Sequence, residues 1–480
     1  KIHRLQTKLS YCRIPAILAQ YLPSTSREEN TVNAKPLKRR EFLQLTAGAI
    51  GGATLLAACQ PVASPAASDD GAAAEGIQLE YLGYEPDEVH GEAFDKFKDV
   101  MPDVDLLISP TIGSWPDMLA KINARIAAGD PPDIAIVATY GPPRIWSKKG
   151  ILVDLHPYLD ADSDYDDDPV APALLQLYTV EGKLFGLPKD YVTHAVIYNK
   201  GLFDEAGVAY PEDGWTWADC LEMGQKLTSG EGQDKVFGWM TQTGPWANEH
   251  WMWANEGKGY FDRWNGDLTT PTANDPKNIE AIEWLVDTIL THEISPSPEQ
   301  LSTEGASSRQ LTGRIAMWAS HTIDTVALLQ NTDKIDWHVV RNPRAFEGGP
   351  TTTMMWTSGF GIVADTDHPD AAFAFLKHMS IGEGALVLGR TGFSIPAGRP
   401  EGFVTDEMVA RGGEVFVDAC FNSDLAANDS LGVNHGELLG TAVIPNLQAA
   451  FLGQMTAAEA LNEIQVVMED ILADATEEQY

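Results

Sequence analysis

The sequence predicts an α/β protein that folds in two lobes, and three observations support this fold class. The chain has 480 residues, which is enough for two or three folding units. Its composition, 44% hydrophobic and 21% charged, is typical of a globular protein. Strand and helix patterns alternate from Ile77 onward and start again near Phe185. Such alternation is typical of an α/β lobe with its ligand crevice at the carboxyl ends of the strands.

The first strands are predicted from their apolar patterns. Residues 77–84 alternate between apolar and polar side chains, which predicts a half-buried strand. Residues 104–109 predict a second strand. Residues 132–137 end in an unbroken apolar run, which is typical of a strand inside a parallel sheet.

Helices are predicted between these strands. Apolar side chains recur at helical spacing over residues 93–100, which predicts an amphipathic helix before the second strand. A longer helix is predicted over 114–129, with Ser114 as its N-cap and Gly129 at its end. The order strand, helix, strand, helix, strand is that of an α/β lobe.

The segment before the first strand has the features of an export signal. Arg39 and Arg40 precede an apolar run over 45–58 that is rich in Gly and Ala and too short to span a bilayer as a helix. The arginine pair resembles the twin-arginine signal, and the sequence Leu-Ala-Ala-Cys at 56–59 resembles the lipobox of bacterial lipoproteins. Together, in this order, the two motifs predict an exported lipoprotein.

This interpretation divides the beginning of the chain. We expect residues 1–58 to be a leader and signal peptide that is removed, and Cys59 to be the lipidated residue. Residues 59–76 are small, contain proline and lack large apolar side chains, which predicts a flexible tether. The mature protein would then lie outside the cytoplasmic membrane, held there by its lipid alone. The alternative is a buried N-terminal helix in which Cys59 has no special role.

The charge excludes one class of partner. The chain carries 33 basic and 69 acidic residues, a formal net charge of −36. Without residues 1–58 the counts are 24 and 66, a net charge of −42. Nucleic-acid binding requires clustered Lys and Arg, so no nucleic-acid partner is expected. The acidity also disfavours anionic ligands and predicts a well-solvated exterior.

The sequence has no motif of a catalytic, metal or cofactor site. No HExxH pair, nucleophile elbow or phosphate-binding loop is present, so we expect no catalytic residues, no metal and no other cofactor. Two questions stay open. Cys220 and Cys420 are able to form a disulfide or to stay free. The acidic run 160–168 begins like a calcium loop but lacks its Gly and final Glu, which favours a solvated loop.

Several segments together carry a family resemblance. They read Phe-Gly-Leu-Pro-Lys-Asp at 185–190, Ala-Val-Ile-Tyr-Asn-Lys-Gly at 195–201, Trp-Thr-Trp-Ala-Asp at 215–219, Leu-Thr-Gly-Arg-Ile-Ala-Met at 311–317 and Ser-Gly-Phe-Gly-Ile-Val at 358–363. In this order they resemble the extracellular solute-binding proteins of ABC importers, in the sugar-binding group that includes maltose-binding protein. The resemblance covers nearly the whole chain after the tether.

The resemblance implies a periplasmic-binding-protein-like fold with two lobes, hinge strands and a ligand cleft between the lobes. One lobe would comprise 77–190 and 342–400, and the other 194–338 and 402–480. The chain would cross between the lobes at 188–193 and again near 337–343. Closure around the ligand would signal the loaded state to the transmembrane subunits of a permease, and the binding protein itself would be a monomer.

The tryptophans suggest the class of ligand. Five of the thirteen lie between Trp239 and Trp264. Aromatic faces stack on the apolar faces of sugar rings, while nearby polar groups bind the hydroxyls. The alternative is that most of these tryptophans are core residues. A phosphorylated or carboxylated polyol would need converging Arg or Lys, which the candidate residues lack apart from one arginine.

The candidate ligand-binding residues combine this chemistry with positions that the family implies for the cleft. They are Tyr84, Tyr140, Asp190, Thr193, Trp239, Trp246, Trp253, His321, Trp356, Arg390, His435 and Glu437. A structural role is the alternative for each of them. We therefore expect a binding protein, not an enzyme, that captures a sugar. An oligosaccharide is the favoured ligand. The alternatives are a surface enzyme that acts on glycosides, a sugar-sensing subunit, and a binder of glycerol-phosphate-like polyols.

Overall fold

The computed structural model describes most of the chain after the predicted leader and tether. The described residues are 76–83, 87–110, 115–138, 142–163, 170–244, 247–428 and 435–473. The predicted leader 1–58, the lipidated Cys59 and all but the last residue of the tether 59–76 lie outside them.

The strands alternate with helices in the first part of the chain and return at intervals later. They are β1 Ile77–Gly83, β2 Val104–Pro110, β3 Ile134–Ala138, β4 Thr179–Val180, β5 Lys183–Leu184, β6 Leu187–Asn199, β7 Met317–His321, β8 Trp337–Val340, β9 Thr352–Ile362, β10 Ile395–Pro396 and β11 Leu425–Ala427. The three predicted strands at 77–84, 104–109 and 132–137 are confirmed as β1, β2 and β3, with ends that differ by one or two residues.

Helices fill the connections. They are α1 Asp87–Asp95, α2 Phe97–Val100, α3 Trp115–Ala127, α4 Pro142–Lys148, α5 His156–Ala161, α6 Pro172–Tyr178, α7 Lys200–Ala206, α8 Trp217–Leu227, α9 Glu249–Ala254, α10 Pro276–Leu290, α11 Pro298–Thr303, α12 Ala306–Leu311, α13 Thr322–Leu329, α14 Pro369–Ser380, α15 Glu383–Arg390, α16 Asp406–Ala410, α17 Glu414–Asn422, α18 His435–Glu437, α19 Ile444–Phe451 and α20 Ala457–Ala473. A π-helical turn, Leu438–Val443, joins α18 to α19.

Local sequence explains where several helices begin. At the start of α8, the Thr216 hydroxyl accepts from the Asp219 N–H, and the Asp219 carboxylate accepts from the Thr216 N–H. Ser297 and Gln300 form the same reciprocal pair at the start of α11. These capping boxes satisfy amide groups that have no partner inside the helix. The segment 215–219, quoted above for its family resemblance, is therefore a helix start.

The main sheet is mixed. Its strand order is β10-β6-β9-β3-β1-β2, with β11 on β9 and with β7 and β8 on β6. β1 pairs in parallel with β2 and β3, as expected for strands joined by helices. The expectation that β3 lies inside a parallel sheet is wrong on one side, because its other neighbour, β9, runs antiparallel. β9 reaches that position from late in the chain and not through a strand-helix-strand unit.

Three apolar clusters form the core. One contains Phe94 and Phe97 with the first strands and Phe360 and Phe375. A second draws on α8, α9, α10, the π-helical turn and α20. The third packs around β6, β7 and β8 and includes α17. Each of the three clusters combines segments that are far apart in sequence. The lobe bounds given above stay a prediction.

An aromatic stack stands at the centre of the second cluster. The Trp217 and Trp284 rings are stacked with centroids 4.8 Å apart, and Trp251 stacks on Trp284 at 5.2 Å.

Cys220 and Cys420 are both buried and free, so they do not form a disulfide. Burial raises the pKa of both thiols above the ordinary value. This makes them poor nucleophiles at neutral pH.

Among the described residues, no single helix is long and apolar enough to cross a membrane. The two helices Pro369–Ser380 and Glu383–Arg390, bent by 41° at their junction, meet the length and composition limits only as a pair.

Candidate ligand site at the hinge strand

β6 pairs with different neighbouring strands along its length, and it therefore joins two parts of the main sheet. Its first half pairs with β9, ending at Thr193 opposite Met355. Its second half pairs with β7, beginning at His194 opposite His321. The change occurs between two adjacent residues, 193 and 194. A side chain at this point therefore lies beside both β7 and β9.

The backbone at this point is held in place by polar side chains. The His194 N–H donates to the Thr353 hydroxyl at 2.9 Å. The Asn342 amide donates to the carbonyl oxygens of His194 and Thr352, both at 3.2 Å. The Thr352 hydroxyl in turn donates to the His250 carbonyl at 2.7 Å. These bonds fix β6, β9 and the start of α9 relative to one another.

Four aromatic rings meet here. The His194 ring centre is 5.2 Å from that of His250, 5.6 Å from that of His321 and 5.1 Å from that of Trp356. His321 and Trp356 lie 6.2 Å apart with perpendicular planes. We call these four residues the imidazole–indole cluster. They come from β6, α9, β7 and β9, so only the folded chain brings them together.

The cluster has two layers. His194 and His250 are each 1% exposed, whereas His321 and Trp356 are only partly buried. His321 and Trp356 therefore form an outer layer that is open to a ligand. His194 and His250 form an inner layer behind it.

The inner histidines are uncharged. Burial, together with the neighbouring His250 and His321 rings, lowers the pKa of His194 well below its ordinary value. Burial lowers the pKa of His250 to about 3. In the described part of the chain, neither ring nitrogen of His194 or His250 has a hydrogen-bond partner, and the same holds for Nδ1 of His321. The inner pair therefore adds no positive charge behind the outer layer.

Polar groups on the neighbouring strand complete the surroundings. The Ser320 hydroxyl donates to the Asp324 carboxylate at the start of α13. The partly buried Gln242 amide donates to the Ala319 carbonyl at 2.6 Å. Within the described residues, no group of three His, Cys, Asp or Glu side chains is arranged to hold a metal ion. The cluster therefore presents an aromatic wall beside a few polar groups, which is the usual composition of a small-ligand site.

Two of the predicted residues at the crossing bind to the protein itself. The buried Asp190 carboxylate accepts from Lys189 Nζ at 2.5 Å, from the Ser394 hydroxyl at 2.7 Å and from the Ser358 hydroxyl at 2.8 Å. The buried Thr193 hydroxyl donates to the Phe416 carbonyl at 2.6 Å. Both stabilise the hinge strand in this conformation. A ligand contact by either residue stays a prediction.

The structure places Trp239 and Trp253 in the core, which is the alternative that the sequence left open for the tryptophan-rich segment. Trp239 is 1% exposed, packs edge-on against Trp251 and donates through Nε1 to the Thr241 hydroxyl at 2.9 Å. Trp253 is fully buried in α9. Neither ring reaches the surface in this conformation, so their ligand contacts stay predictions.

The remaining predicted residues are spread over the chain. Arg390 is exposed at the end of α15, with Nη2 4.0 Å from Oε1 of Glu383 on the same helix. His435 and Glu437 lie on α18, His435 partly buried and Glu437 exposed. Tyr84, Tyr140 and Trp246 lie outside the described residues, as does most of the acidic run 160–168. Asp162 of that run accepts from Lys377 Nζ at 2.7 Å.

Of the twelve predicted ligand residues, the structure brings His321 and Trp356 together in the cluster. It also adds His194 and His250, which sequence reasoning missed. His194 directly follows the predicted crossing and directly precedes the apolar run Ala-Val-Ile at 195–197, and that position was the available signal. His250 stands among the tryptophans and carried no such signal.

A cavity of about 490 Å³ lies between α10 and α11 and is lined in part by Phe237 and Ile289. Its hydroxyl groups are engaged within the protein. The Ser297 hydroxyl accepts from the Gln300 N–H, and the Thr303 hydroxyl donates to the Glu299 carbonyl. These two hydroxyls are therefore engaged within the protein and not with a ligand in this conformation.

Comparison with known proteins identifies the family. Residues 87–380, more than half of the chain, match the bacterial extracellular solute-binding protein family. The chain belongs to this family. As a member of an extracellular family, this solute-binding protein works outside the cytoplasm.

Two relatives in sequence are oligosaccharide-binding proteins by name. The arabinooligosaccharide-binding protein of Halalkalibacterium halodurans is 28% identical over 222 residues, which is 45% of this chain and 48% of the relative. The Bacillus subtilis protein of the same name is 30% identical over 199 residues, or 41% of this chain and 43% of the relative. The alignments thus span about half the length of the curated relatives.

Solved structures support the fold over a larger share of the chain. An ABC substrate-binding protein from Listeria monocytogenes, in complex with cycloalternan, has a TM-score of 0.68 at 23% identity. The alignment covers 83% of this chain and 98% of the Listeria chain. Maltose-bound MalE3 of T. maritima has a TM-score of 0.65 at 18% identity and covers 82% and 100%. The predicted two-lobe α/β fold of this solute-binding protein is therefore confirmed.

Proposed function

We propose that this solute-binding protein captures a short neutral oligosaccharide at the imidazole–indole cluster and delivers it to the permease of an ABC importer. The observation that carries the proposal is the outer layer of the cluster. His321 and Trp356 are only partly buried, and they stand where β6 changes partners. A ligand bound there contacts both halves of the molecule.

The chemistry of the cluster supports a sugar. The indole face of Trp356 stacks on the apolar face of a pyranose or furanose ring, and the outer imidazole of His321 binds its hydroxyls as donor or acceptor. The cluster consists of three histidines and a tryptophan, so it lacks the Arg or Lys pair that a phosphorylated or carboxylated ligand requires. The names of the two curated relatives point to arabino-oligosaccharides as the first ligands to test.

The mechanism is closure without covalent chemistry. A ligand that touches both sides of the hinge binds the closed state more tightly than the open state, and it therefore shifts the population toward closure. The closed form is what the permease would recognise. We assign no catalytic residue and no cofactor to the chain, and we propose that it acts as a monomer.

The location at the membrane is a further part of the proposal. The twin-arginine-like pair Arg39-Arg40 and the lipobox-like sequence ending in Cys59 support an exported lipoprotein. Palmitate labelling of the expressed protein tests this, with Cys59→Ala as the control. Labelling that persists in the variant would remove Cys59 as the anchor.

A ligand screen tests the function. We expect arabino-oligosaccharides of two to four units to raise the unfolding temperature, because a ligand present at about a hundred times its Kd stabilises the native state by about 2.7 kcal/mol. Sugar phosphates should have no effect. Chromatography of the incubated sugars distinguishes the enzyme alternative, since shortened products would show glycoside cleavage. Unchanged sugar uptake in a strain that lacks the partner permease would favour a sensor.

A further inference from the structure

The inner layer of the cluster has a property that the proposed ligand wall does not need. His194 and His250 meet edge to face at 87°, and both are nearly sealed from solvent. All four of their ring nitrogens are buried without a partner in the described part of the chain. A buried polar group without a hydrogen bond is costly, and a buried charge without a partner is far more so. This arrangement is tolerable only while both rings are neutral.

The neighbouring charges do not relieve that constraint. On α9, the buried Glu249 accepts from the Tyr260 N–H at 3.0 Å and faces Arg263 at 4.0 Å. On α13, Asp324 accepts from Ser320. On β6 itself, Asp190 is bound to Lys189.

The remaining neighbours are a paired arginine, the side chains of β9 and a third imidazole. Arg341, beside Asn342, is paired with Asp418 of α17. The facing residues of β9, 352–356, carry no ionisable side chain, and the facing group on β7 is a third imidazole, His321. No carboxylate among the described residues is therefore placed to stabilise a proton on the inner pair.

We propose that His194 and His250 are positioning residues whose neutral rings hold Trp356 and His321 in their ligand-facing arrangement, so that sugar capture is coupled to proton release and weakens in acid. The inference rests on the proposed function. Ring contacts link the inner layer to the outer layer. The ring centre of His194 is 5.1 Å from that of Trp356 and 5.6 Å from that of His321. Neither histidine needs to touch the sugar.

The direction of the coupling follows from solvation. A proton on either inner ring needs water, and water reaches the ring only when the outer layer moves away or the hinge opens. The low pKa of both histidines belongs to the sealed arrangement, and exposure would return each pKa toward about 6.5. Acid therefore favours the arrangement with separated rings, which is the one that does not bind the sugar.

Calorimetric titration with arabinotriose at pH 7.5 and pH 5.0 tests the coupling. We expect the Kd of the unaltered protein to rise at least tenfold at the lower pH, since one linked proton changes affinity by about tenfold per pH unit below its pKa. The double variant His194→Phe/His250→Phe keeps aromatic rings at both positions but has no group to protonate, and its Kd should change less than twofold. His292→Gln, in a partly exposed turn, is the matched control and should behave like the unaltered protein.

A second arm needs no sugar. The fluorescence of Trp356, obtained as the difference between the unaltered protein and Trp356→Phe, should change between pH 7 and pH 5, and this change should vanish when His194 and His250 are both Phe. If arabinotriose fails to bind at pH 7.5, the proposed function loses its support while this arm still decides the inference. If arabinotriose binds equally at both pH values, the inference is wrong and the proposed function stands. Should the double variant not fold, His250→Phe alone must reduce the pH effect, and an undiminished effect would overturn the inference.

Discussion

His194 and His321 face each other across the β6–β7 pair, with their Cα positions in register and their ring centres 5.6 Å apart. The residue before His194 pairs instead with β9. The two imidazoles therefore mark the point where one strand passes from one set of neighbours to another. A ligand that binds against His321 at this point would contact strands on both sides of the change, so its binding would depend on their relative position. For this reason we propose the cluster as the ligand site.

The outer layer predicts a binding defect without a folding defect. Trp356→Ala removes the indole wall and should weaken binding of arabinotriose about tenfold or more, on the order of 1.4 kcal/mol. Because Trp356 is only partly buried, the unfolding temperature should fall little. Trp264→Ala is a control, since Trp264 is 38% exposed and away from the hinge strand. Equal affinity of Trp356→Ala and the unaltered protein would exclude the aromatic wall. The same loss is expected for Trp246→Ala on sequence grounds.

Core tryptophans predict the opposite pattern. Trp239→Ala should lower the free energy of unfolding by about 3–5 kcal/mol, because it leaves a cavity beside Trp251 and Trp284. Urea titration followed by far-ultraviolet circular dichroism measures this loss. Trp239→Phe, which keeps an aromatic ring, should lose less and bind arabinotriose normally. A Trp239→Phe variant that is stable but does not bind would return Trp239 to the ligand site.

The buried ion pair on the hinge strand predicts a large effect of one charge. Asp190→Asn leaves the ammonium of Lys189, which is 2% exposed, beside a neutral amide. Removing one partner of a buried pair costs about 3–5 kcal/mol. The exposed pair of Arg390 and Glu383 is the control, and Glu383→Gln should cost less than about 1 kcal/mol. Comparable losses in both variants would contradict the structural role given to Asp190.

The inner histidines predict a pH dependence of stability. Their pKa values are lowered in the folded state, so below pH 6.5 the unfolded chain binds protons that the folded chain does not. Stability is therefore complete above about pH 6.5 and falls with pH by about 1.4 kcal/mol per unit for each histidine. Urea titrations at pH 7 and pH 5 should show a loss about 2 kcal/mol smaller in His250→Phe than in the unaltered protein. Parallel losses in the two proteins would mean that His250 is not held neutral.

Local sequence was sufficient to predict some elements and not others. β1, β2, β3 and α3 follow from apolar periodicity and end signals within a dozen residues each. The pairing of β3 with β9 could not be predicted this way, because its partner lies more than two hundred residues later in the chain. Pairing between such distant strands depends on the fold of the whole chain and not on the sequence of either strand alone.

The candidate site shows the same division. His321 and Trp356 were predicted from family position, but their contact with His194 and His250 depends on four elements that meet only in the folded chain. Trp239 and Trp253 were predicted from composition, which does not distinguish a ligand wall from a core stack. Burial alone makes that distinction, and burial is a property of the fold.

The most direct test of the central claim is calorimetric titration of the unaltered protein and of Trp356→Ala with arabinotriose at pH 7.5, followed by chromatography of the recovered sugar. The account predicts saturable binding of about one sugar per chain, at least about tenfold weaker in the variant, with the sugar recovered intact. Equal binding by the two proteins, or recovery of shortened sugars, would contradict it.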